Sequence, residues 1–294
     1  MKIFYRLNVL AVALIIAAAG FIPAVAYGNT AKQYFEGTVE YNLKNSSASS
    51  VQEWIDSDLT RDAGAGSEWY IIALSNHSRY DFSNYKTALN KYLSENEIGS
   101  ASSRLKYALT YIAIGDKTNP YINKALGNSV GEQGIMSLVF GLHLMNNGVE
   151  CNTRSFSELK KEILSLQLDD GGWAVAGGFS DVDATAMTIQ ALAPYYHQDK
   201  TVTSSVDSAL EFLSEKQNPS GDFSSYGIAN PESTAQVIVA LSSLGIDVQN
   251  DTRFIKNGFN LFDGIIRYQL PDGSFCNKND VIKLDDGSIA IPHT

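Results

Sequence analysis

Hydrophobic residues recur at helical spacing along most of the chain, and the charged residues concentrate in every second segment. The segments "SELKKEILSLQ" and "VDSALEFLSEKQ" carry Leu, Ile and Phe on one side and charges on the other, which is typical of helices with one solvent face. The segments "DATAMTIQAL" and "ESTAQVIVAL" are rich in Ala, Thr and Val and carry few charges beyond the first turn, as in helices surrounded by other helices. The pattern predicts an all-α fold of alternating outer and inner helices.

This alternation extends over the rest of the chain and predicts about eleven helices. They lie near "VQEWIDSDL", "EWYIIALS", "NYKTALNKYLSE", "SRLKYALTYIAIG", "PYINKALG" and "GEQGIMSLVFGLHLMNNG", and near Glu158, Asp183, Asp207, Glu232 and Leu261. Hairpins of outer and inner helices close naturally into a ring, an α/α toroid, which needs about twelve helices to complete. We therefore expect the last inner helix to be missing because the sequence is cut short, with an open ring or a partner that fills the gap as the alternatives.

A short motif repeats three times in the second half. It reads "QLDDGGW" from Gln167 to Trp173, "QNPSGDF" from Gln217 to Phe223 and "QLPDGSF" from Gln269 to Phe275. A period of this size indicates stacked helix–turn–helix units, none of which can bury its apolar face alone. We expect the glycine to form the turn, the aromatic ring to pack between neighbouring units, and the glutamine to hydrogen-bond the turn backbone.

The first residues have the pattern of a secretion signal. Lys2 and Arg6 precede the apolar run "VLAVALIIAAAGFI", and "AVA" at 24–26 supplies small residues at a cleavage site. We predict a signal peptide at 1–26, export to the cell surface or the medium, a linker at 27–50 and a C-terminally incomplete toroid at 51–294. An uncleaved membrane anchor is the alternative, and no later apolar run is long enough to cross a bilayer.

Charge and cysteine content narrow the function classes. The chain has 32 acidic and 22 basic residues, a net charge of −10, which argues against nucleic acid and anionic lipid as partners. Cys151 and Cys276 stand in no metal-binding spacing, so we interpret both as incidental, with a disulfide between them as the alternative. The four histidines, at positions 77, 143, 197 and 293, are scattered, and we predict neither a metal nor a cofactor.

Asp181 and Asp183, in "DVDATA", are the main candidates for chemistry. Two adjacent carboxyls can share a proton and act as a general acid when they are buried. The structural interpretation is that Ser180 caps the helix, Asp183 completes an approximate capping box, and Asp181 interacts with the helix dipole. Because the parallel unit has a cap at Asn230 and an acid at Glu232 without a second aspartate, we favour the structural interpretation.

Capping does not exclude ligand contact, because the first turns of the inner helices would surround one mouth of a ring. The predicted mouth residues are Asp183, Glu232, Tyr195, Tyr196 and Tyr226. A pair of facing carboxyls would suit a glycosidase, and the tyrosines would suit a sugar or ligand cleft. Packing of loop aromatics at the rim is the alternative for the tyrosines.

The repeat residues resemble those of prenyltransferases and squalene cyclases, which fold as α/α toroids. "QLDDGGW" is similar to their Gln–Trp motif, and "DVDATA" is similar to the acid motif of class II terpene cyclases. That resemblance would make Asp183 the proton donor and Asp181 its assistant, although Ala184 occupies the third acidic position. The segment from Val51 to Phe275 also resembles exported toroid proteins of Gram-positive bacteria, related to the cobalamin-binding toroid of intrinsic factor and transcobalamin.

Taken together, these features favour an exported α/α toroid that binds a ligand and catalyses nothing. The resemblance implies a corrinoid as one ligand, and a glycan or a cell-surface protein partner are the others. A terpene-cyclase-like enzyme that uses Asp183 as its acid, and a structural adhesion module, are the alternatives.

Overall fold

The computed structural model describes residues 34–270, 272 and 274–276, and the backbone alone of 28–33, 282–283 and 289–290. The predicted signal peptide at 1–26 and the histidine at 293 lie outside the described residues. Within the described part, the chain is all-α apart from two short antiparallel strand pairs.

The helices and strands, in chain order, have these bounds. The α-helices are α1 (Gly28–Lys44), α2 (Val51–Trp54, continued by a π-helix at Ile55–Leu59), α3 (Glu68–His77), α4 (Ser83–Glu95), α5 (Ala101–Ala113), α6 (Pro120–Ser129), α7 (Gly134–Asn146), α8 (Phe156–Ser165), α9 (Val182–Leu192), α10 (Lys200–Lys216), α11 (Pro231–Ser243) and α12 (Leu261–Ile266). Single 3-10 turns lie at Ala193–Tyr195 and Thr252–Phe254. The strands are β1 (Phe223–Ser225), paired with β2 (Ile228–Asn230), and β3 (Ile282–Lys283), paired with β4 (Ile289–Ala290).

Burial separates largely enclosed helices from helices with one exposed face, as the sequence pattern predicted. In α11, ten of the 13 residues are buried, whereas α4, of the same length, buries only Tyr85 and Leu89. The odd-numbered helices from α3 to α11 pack each against the next odd-numbered helix, and α8, α10 and α12 lie against α7, α9 and α11 respectively. All of the predicted helical segments are helices in the structure.

The N-terminal helix α1 was not predicted, since residues 27–50 were expected to form a linker. It forms because Phe35 and Val39, one turn apart, are buried in the same hydrophobic core as the other helices. The ring of Phe35 contacts His77 at the end of α3, with a centroid distance of 4.3 Å. The pKa of Tyr34 is raised by burial and by the charge of Asp263 in α12. Helix α1 therefore lies next to both α3 and α12.

The repeated turns have the predicted architecture. In each of the three, the residue after the glutamine donates its backbone N–H to the residue before the aromatic: Leu168 to Gly172 at 2.9 Å, Asn218 to Asp222 at 2.9 Å, and Leu270 to Ser274 at 2.7 Å. Trp173 and Phe223 are completely buried, and Phe275 is half-buried. Gln269 and Phe275 pair through an isolated antiparallel bridge.

The first two glutamines also join each turn to the next unit. Gln167 donates its side-chain amide to the backbone oxygens of Gly171 and Ser205, each at 2.7 Å. Gln217 makes the equivalent bonds, at 3.0 Å, to the backbone oxygens of Gly221 and Phe254. Because Ser205 and Phe254 belong to the following repeat unit, one side chain holds the turn together and fixes the distance between neighbouring units.

Candidate functional site

The candidate site lies where α9 and α11 begin. These neighbouring inner helices pack side by side, and each is preceded by a short hairpin that starts at the buried aromatic of the repeat. Trp173 pairs with Asp181 through an antiparallel bridge, as Phe223 pairs with Asn230 in β1 and β2. In both units the aromatic residue therefore faces the residue that caps the following helix.

The following helix holds each hairpin in place through a threonine. The backbone N–H of Trp173 donates to Thr185 Oγ1 at 2.9 Å, and that of Phe223 donates to Thr234 Oγ1 at 3.0 Å. Both threonines are completely buried. Since a buried N–H without a partner is costly, this bond fixes the start of each hairpin against the first turns of its inner helix.

Asp181 caps α9, which corrects the prediction that Ser180 does so. Asp181 Oδ1 accepts the backbone N–H of Ala184 at 2.8 Å, while its backbone is held extended by the pairing with Trp173. Ser180 lies one residue before the cap, and its hydroxyl points to Asp170, to whose Oδ1 it donates at 2.5 Å. The capping box predicted for Asp183 is consequently wrong, because the third helical position is Ala184. The matching prediction for α11, a cap at Asn230, is confirmed by the bond from Ser233 N at 2.7 Å.

Asp183 is thus left without a capping function, and its Oδ1 is buried with no hydrogen-bond partner. Burial raises the pKa of Asp183, and the charge of Asp181 raises it further, while the neighbouring hydroxyls of Ser233 and Ser225 oppose the rise. Ser233 is itself completely buried, and the hydrogen bond between its hydroxyl and Asp183 is what lowers the pKa of this carboxyl.

Glu232 occupies the position on α11 that Asp183 occupies on α9. Burial raises the pKa of Glu232 to about 7, and the charge of Asp183 adds to this rise, while the residue's own backbone N–H lowers it. Asp183 and Glu232 therefore lie close enough for the charge of one to act on the other. Every charged side chain that shifts these two pKa values is acidic.

The structure does not bring Tyr195 and Tyr196 to this site. Both follow the last turn of α9, a helix about 16 Å long, whereas Asp183 lies in its first turn. The hydroxyl of Tyr195 donates to Asn146 Oδ1, and that of Tyr196 donates to Asp207 Oδ1 at 2.6 Å. The length of α9 separates both tyrosines from the carboxyls, and the sequence prediction had not taken this length into account.

Tyr226, by contrast, lies beside the carboxyls. It occupies the tip of the β1–β2 hairpin with 87% of its surface exposed. Its neighbour Ser225 donates its hydroxyl to Asp181 Oδ2 at 3.1 Å, which joins this hairpin to the start of α9.

Phe179 was missed by sequence reasoning, although it lies only two residues before Asp181 and is 89% exposed. Val175 and Ile228, on the same two hairpins, are also among the exposed hydrophobic residues. The sequence did contain a signal for this exposure: in "GGFS" the phenylalanine follows two glycines, whose lack of side chains leaves it no apolar neighbour to pack against. Phe179 and Tyr226 lie on the two hairpins, and Asp181, Asp183 and Glu232 lie where the hairpins pass into α9 and α11. We call these five residues the carboxyl mouth.

Other candidate chemistry is not assembled in the described residues. No group of three or more His, Cys, Asp or Glu side chains there is arranged to hold a metal ion. Cys151 and Cys276 are not joined by a disulfide. Burial lowers the pKa of His143, on α7, to about 4. In the described part of the chain, no helix has both the length and the apolarity that a bilayer span requires.

No family model matches the chain, and no curated protein or solved structure matches it.

Proposed function

We propose that this protein is an exported or cell-surface α/α toroid that binds a ligand at the carboxyl mouth and does not catalyse a reaction. The observation that carries the proposal is the pair of hairpins before α9 and α11, which present Phe179 and Tyr226 to solvent beside buried carboxyls. Ligand sites combine exposed apolar surface with a few polar groups that fix the orientation of the ligand.

The toroid arrangement is supported by the order of helix contacts. The odd-numbered helices α3 to α11 contact one another in chain order, as inner helices of a ring would. A ring built from them would leave a gap between its first and last hairpins. Helix α1 contacts α3 through Phe35 and lies near α12 through Tyr34. We propose that α1 closes the ring at that position, so that the gap expected from the sequence is filled from the N-terminal side.

Export is supported by the sequence of residues 1–26, with its basic start, apolar run and small-residue ending. The net negative charge and the acidic surroundings of the mouth disfavour anionic ligands. The remaining candidates are a corrinoid, which the family resemblance implies, and a glycan.

A second candidate is a terpene-cyclase-like enzyme with Asp183 as its general acid. It is favoured by one observation: burial raises the pKa of Asp183, whose Oδ1 has no hydrogen-bond partner. A proton donor of that class needs such a carboxyl. Against it, Asp181 is already bonded to Ala184 and Ser225, and the third acidic position of the motif is alanine. We therefore place binding first.

Two measurements on the full chain decide between the candidates. The wild type and Asp183→Asn are incubated with squalene and with geranylgeranyl diphosphate, and we expect no cyclised product from either. Cyclised product from the wild type alone would replace the binding proposal with the enzyme. Cobalamin is titrated separately and followed by absorbance, where a spectral shift that Asp183→Ala and Tyr226→Ala both remove would establish a corrinoid at the mouth.

A further inference from the structure

A cavity of about 280 Å³ lies between helices α4, α5 and α6, in the first half of the chain. None of the residues that line it belongs to the carboxyl mouth. Small-molecule pockets have volumes from about 300 Å³ upward. The cavity therefore suits a ligand with a single ring and is too small to enclose a large cofactor.

The apolar part of the cavity wall consists of two tyrosine rings and two smaller side chains. The ring centroids of Tyr111 and Tyr121 lie 5.9 Å apart, with an angle of 51° between the ring planes, and Leu93 and Pro120 complete this part of the wall. Tyr111 is almost completely buried, and its hydroxyl donates to Asn90 Oδ1 at 2.5 Å, which fixes the ring. Aromatic rings pack favourably against one another at centroid distances of about 4.5–7 Å. The wall is therefore suited to a further ring.

Two polar groups of the wall are free hydrogen-bond donors. Asn90 uses its side-chain oxygen for Tyr111, and its amide nitrogen makes no hydrogen bond within the part of the chain that the structure describes. The exposed ammonium of Lys124 likewise forms no ion pair with a described residue. The third polar residue, Ser94, donates its hydroxyl to the backbone oxygen of Lys91 at 2.8 Å. An amide N–H and an ammonium on one wall match the two oxygens of a carboxylate.

The charge of this part of the chain also favours an anion. Residues 83–129, which contain α4 to α6, include six basic and three acidic residues, although the whole chain has a net charge of −10. One of the three acids, Asp116, is paired with Lys86 at 2.8 Å. Burial raises the pKa of Tyr111 and of Tyr121 to about 12, so neither hydroxyl carries a negative charge at neutral pH. An anion is therefore attracted here.

We infer that this cavity binds a small carboxylate that carries one aromatic ring. The ring packs against Tyr111 and Tyr121, and the carboxylate accepts hydrogen bonds from the Asn90 amide and the Lys124 ammonium. This site is separate from the carboxyl mouth and does not depend on the function proposed for it.

The test is isothermal titration of the full chain with four probes, which are phenylacetate, 3-phenylpropanoate, phenylacetamide and acetate. We expect at least one of the two aromatic carboxylates to bind. Phenylacetamide, which has the ring but no charge, should bind at least about tenfold more weakly than phenylacetate. Acetate, which has the charge but no ring, should not bind measurably. Failure of both aromatic carboxylates, or equal affinity for phenylacetate and phenylacetamide, would overturn the proposal.

Variants locate the binding site. Lys124→Met should weaken binding of the aromatic carboxylate about tenfold, whereas Lys161→Met, at an exposed lysine on α8, is the matched control and should leave it unchanged. Ser94→Trp, at an exposed position in the cavity wall, should fill the cavity and remove binding while the melting temperature stays close to that of the wild type. Should Ser94→Trp fail to fold, Lys124→Met decides the question alone.

Equal weakening by Lys124→Met and Lys161→Met would reject the contact between Lys124 and the carboxylate. Binding at wild-type strength by a folded Ser94→Trp would show that the ligand lies elsewhere, and would overturn the assignment of this cavity.

Discussion

Asp181 Oδ1 accepts the backbone N–H of Ala184 at 2.8 Å, and this single bond makes Asp181 the cap of α9. Asp183, two residues later, has an oxygen that is buried without a hydrogen-bond partner. Two carboxyls that look equivalent in "DVDATA" are therefore distinct: one is explained by the end of a helix, and the other is not. Asp183 is therefore the carboxyl on which the proposed binding, and the alternative of acid catalysis, should be tested.

Replacing each aspartate separately should distinguish the capping residue from the buried carboxyl. Asp181→Ala removes the cap and should lower the free energy of unfolding by about 1 kcal/mol. Asp183→Asn removes a carboxyl whose charged form is disfavoured by burial, so at pH 8 the variant should be at least as stable as the wild type. Urea unfolding at pH 8 measures both. A loss of stability in Asp183→Asn equal to that in Asp181→Ala would show that Asp183 supports the helix after all.

Glu232 should make stability depend on pH near neutrality. Its pKa rises from 4.5 to about 7 in the folded protein, so between these values the folded state holds a proton that the unfolded state has released. The contribution of Glu232 to stability therefore falls as the pH rises through this window, by up to about 1.4 kcal/mol per pH unit.

Glu232→Gln should remove this slope, and urea unfolding of both proteins at several values between pH 4.5 and 8 would detect it. Glu211→Gln, on the exposed side of α10, is the control and should follow the wild type. Parallel curves for the wild type and Glu232→Gln would contradict the assigned burial of this acid.

Helix α1 should contribute to the stability of the whole fold. Phe35→Ala removes a buried ring that packs on His77 and should lower the free energy of unfolding by about 3 kcal/mol. Phe259→Ala provides the comparison, because its half-exposed ring should change stability by no more than about 0.5 kcal/mol. If both variants melt at the wild-type temperature, α1 does not close the core.

The glycine of the first repeated turn should tolerate no side chain. At Gly171, φ is +86°, and an added Cβ would lie 2.5 Å from the backbone oxygen of Ser208 in the next unit. Gly177 has a similar φ of +75° but open space around it. Gly177→Ala should therefore cost only the backbone strain, about 1–2 kcal/mol, and Gly171→Ala clearly more. Thermal melting of the two variants isolates the contact between units, and equal losses would rule it out.

Much of this architecture could be read from the sequence because it depends on local rules. Periodicity located α2 to α12, since burial of one face dictates which positions are apolar. The bonds of Gln167 and Gln217 to their turns were also predictable, because glycine and an aromatic at constant spacing define the turn. The cap at Asn230 followed from the proline after it, which begins a helix readily.

Other features depend on contacts between segments far apart in the chain. Ser180 and Asp181 are both good caps by residue type, and the pairing of Asp181 with Trp173, in the repeated turn, decides between them because it fixes where the helix begins. The position of α1 beside α3 and α12 depends on a core that the helix itself cannot specify. Tyr195 and Tyr226 are equivalent candidates in the sequence, but in the structure Tyr195 follows the last turn of α9 and Tyr226 lies near its first turn.

The amino-acid sequence alone therefore determined the helices, the alternation of exposed and enclosed ones, and the repeated turns, because each follows from side-chain periodicity and backbone freedom within one unit. Tertiary structure decided which carboxyl is left unsatisfied, which aromatics stand beside it and how α1 packs. The physical reason is that burial depends on the units packed around a side chain. The pKa of a carboxyl and its hydrogen-bond partners depend on burial in turn, so no single segment of the sequence determines them.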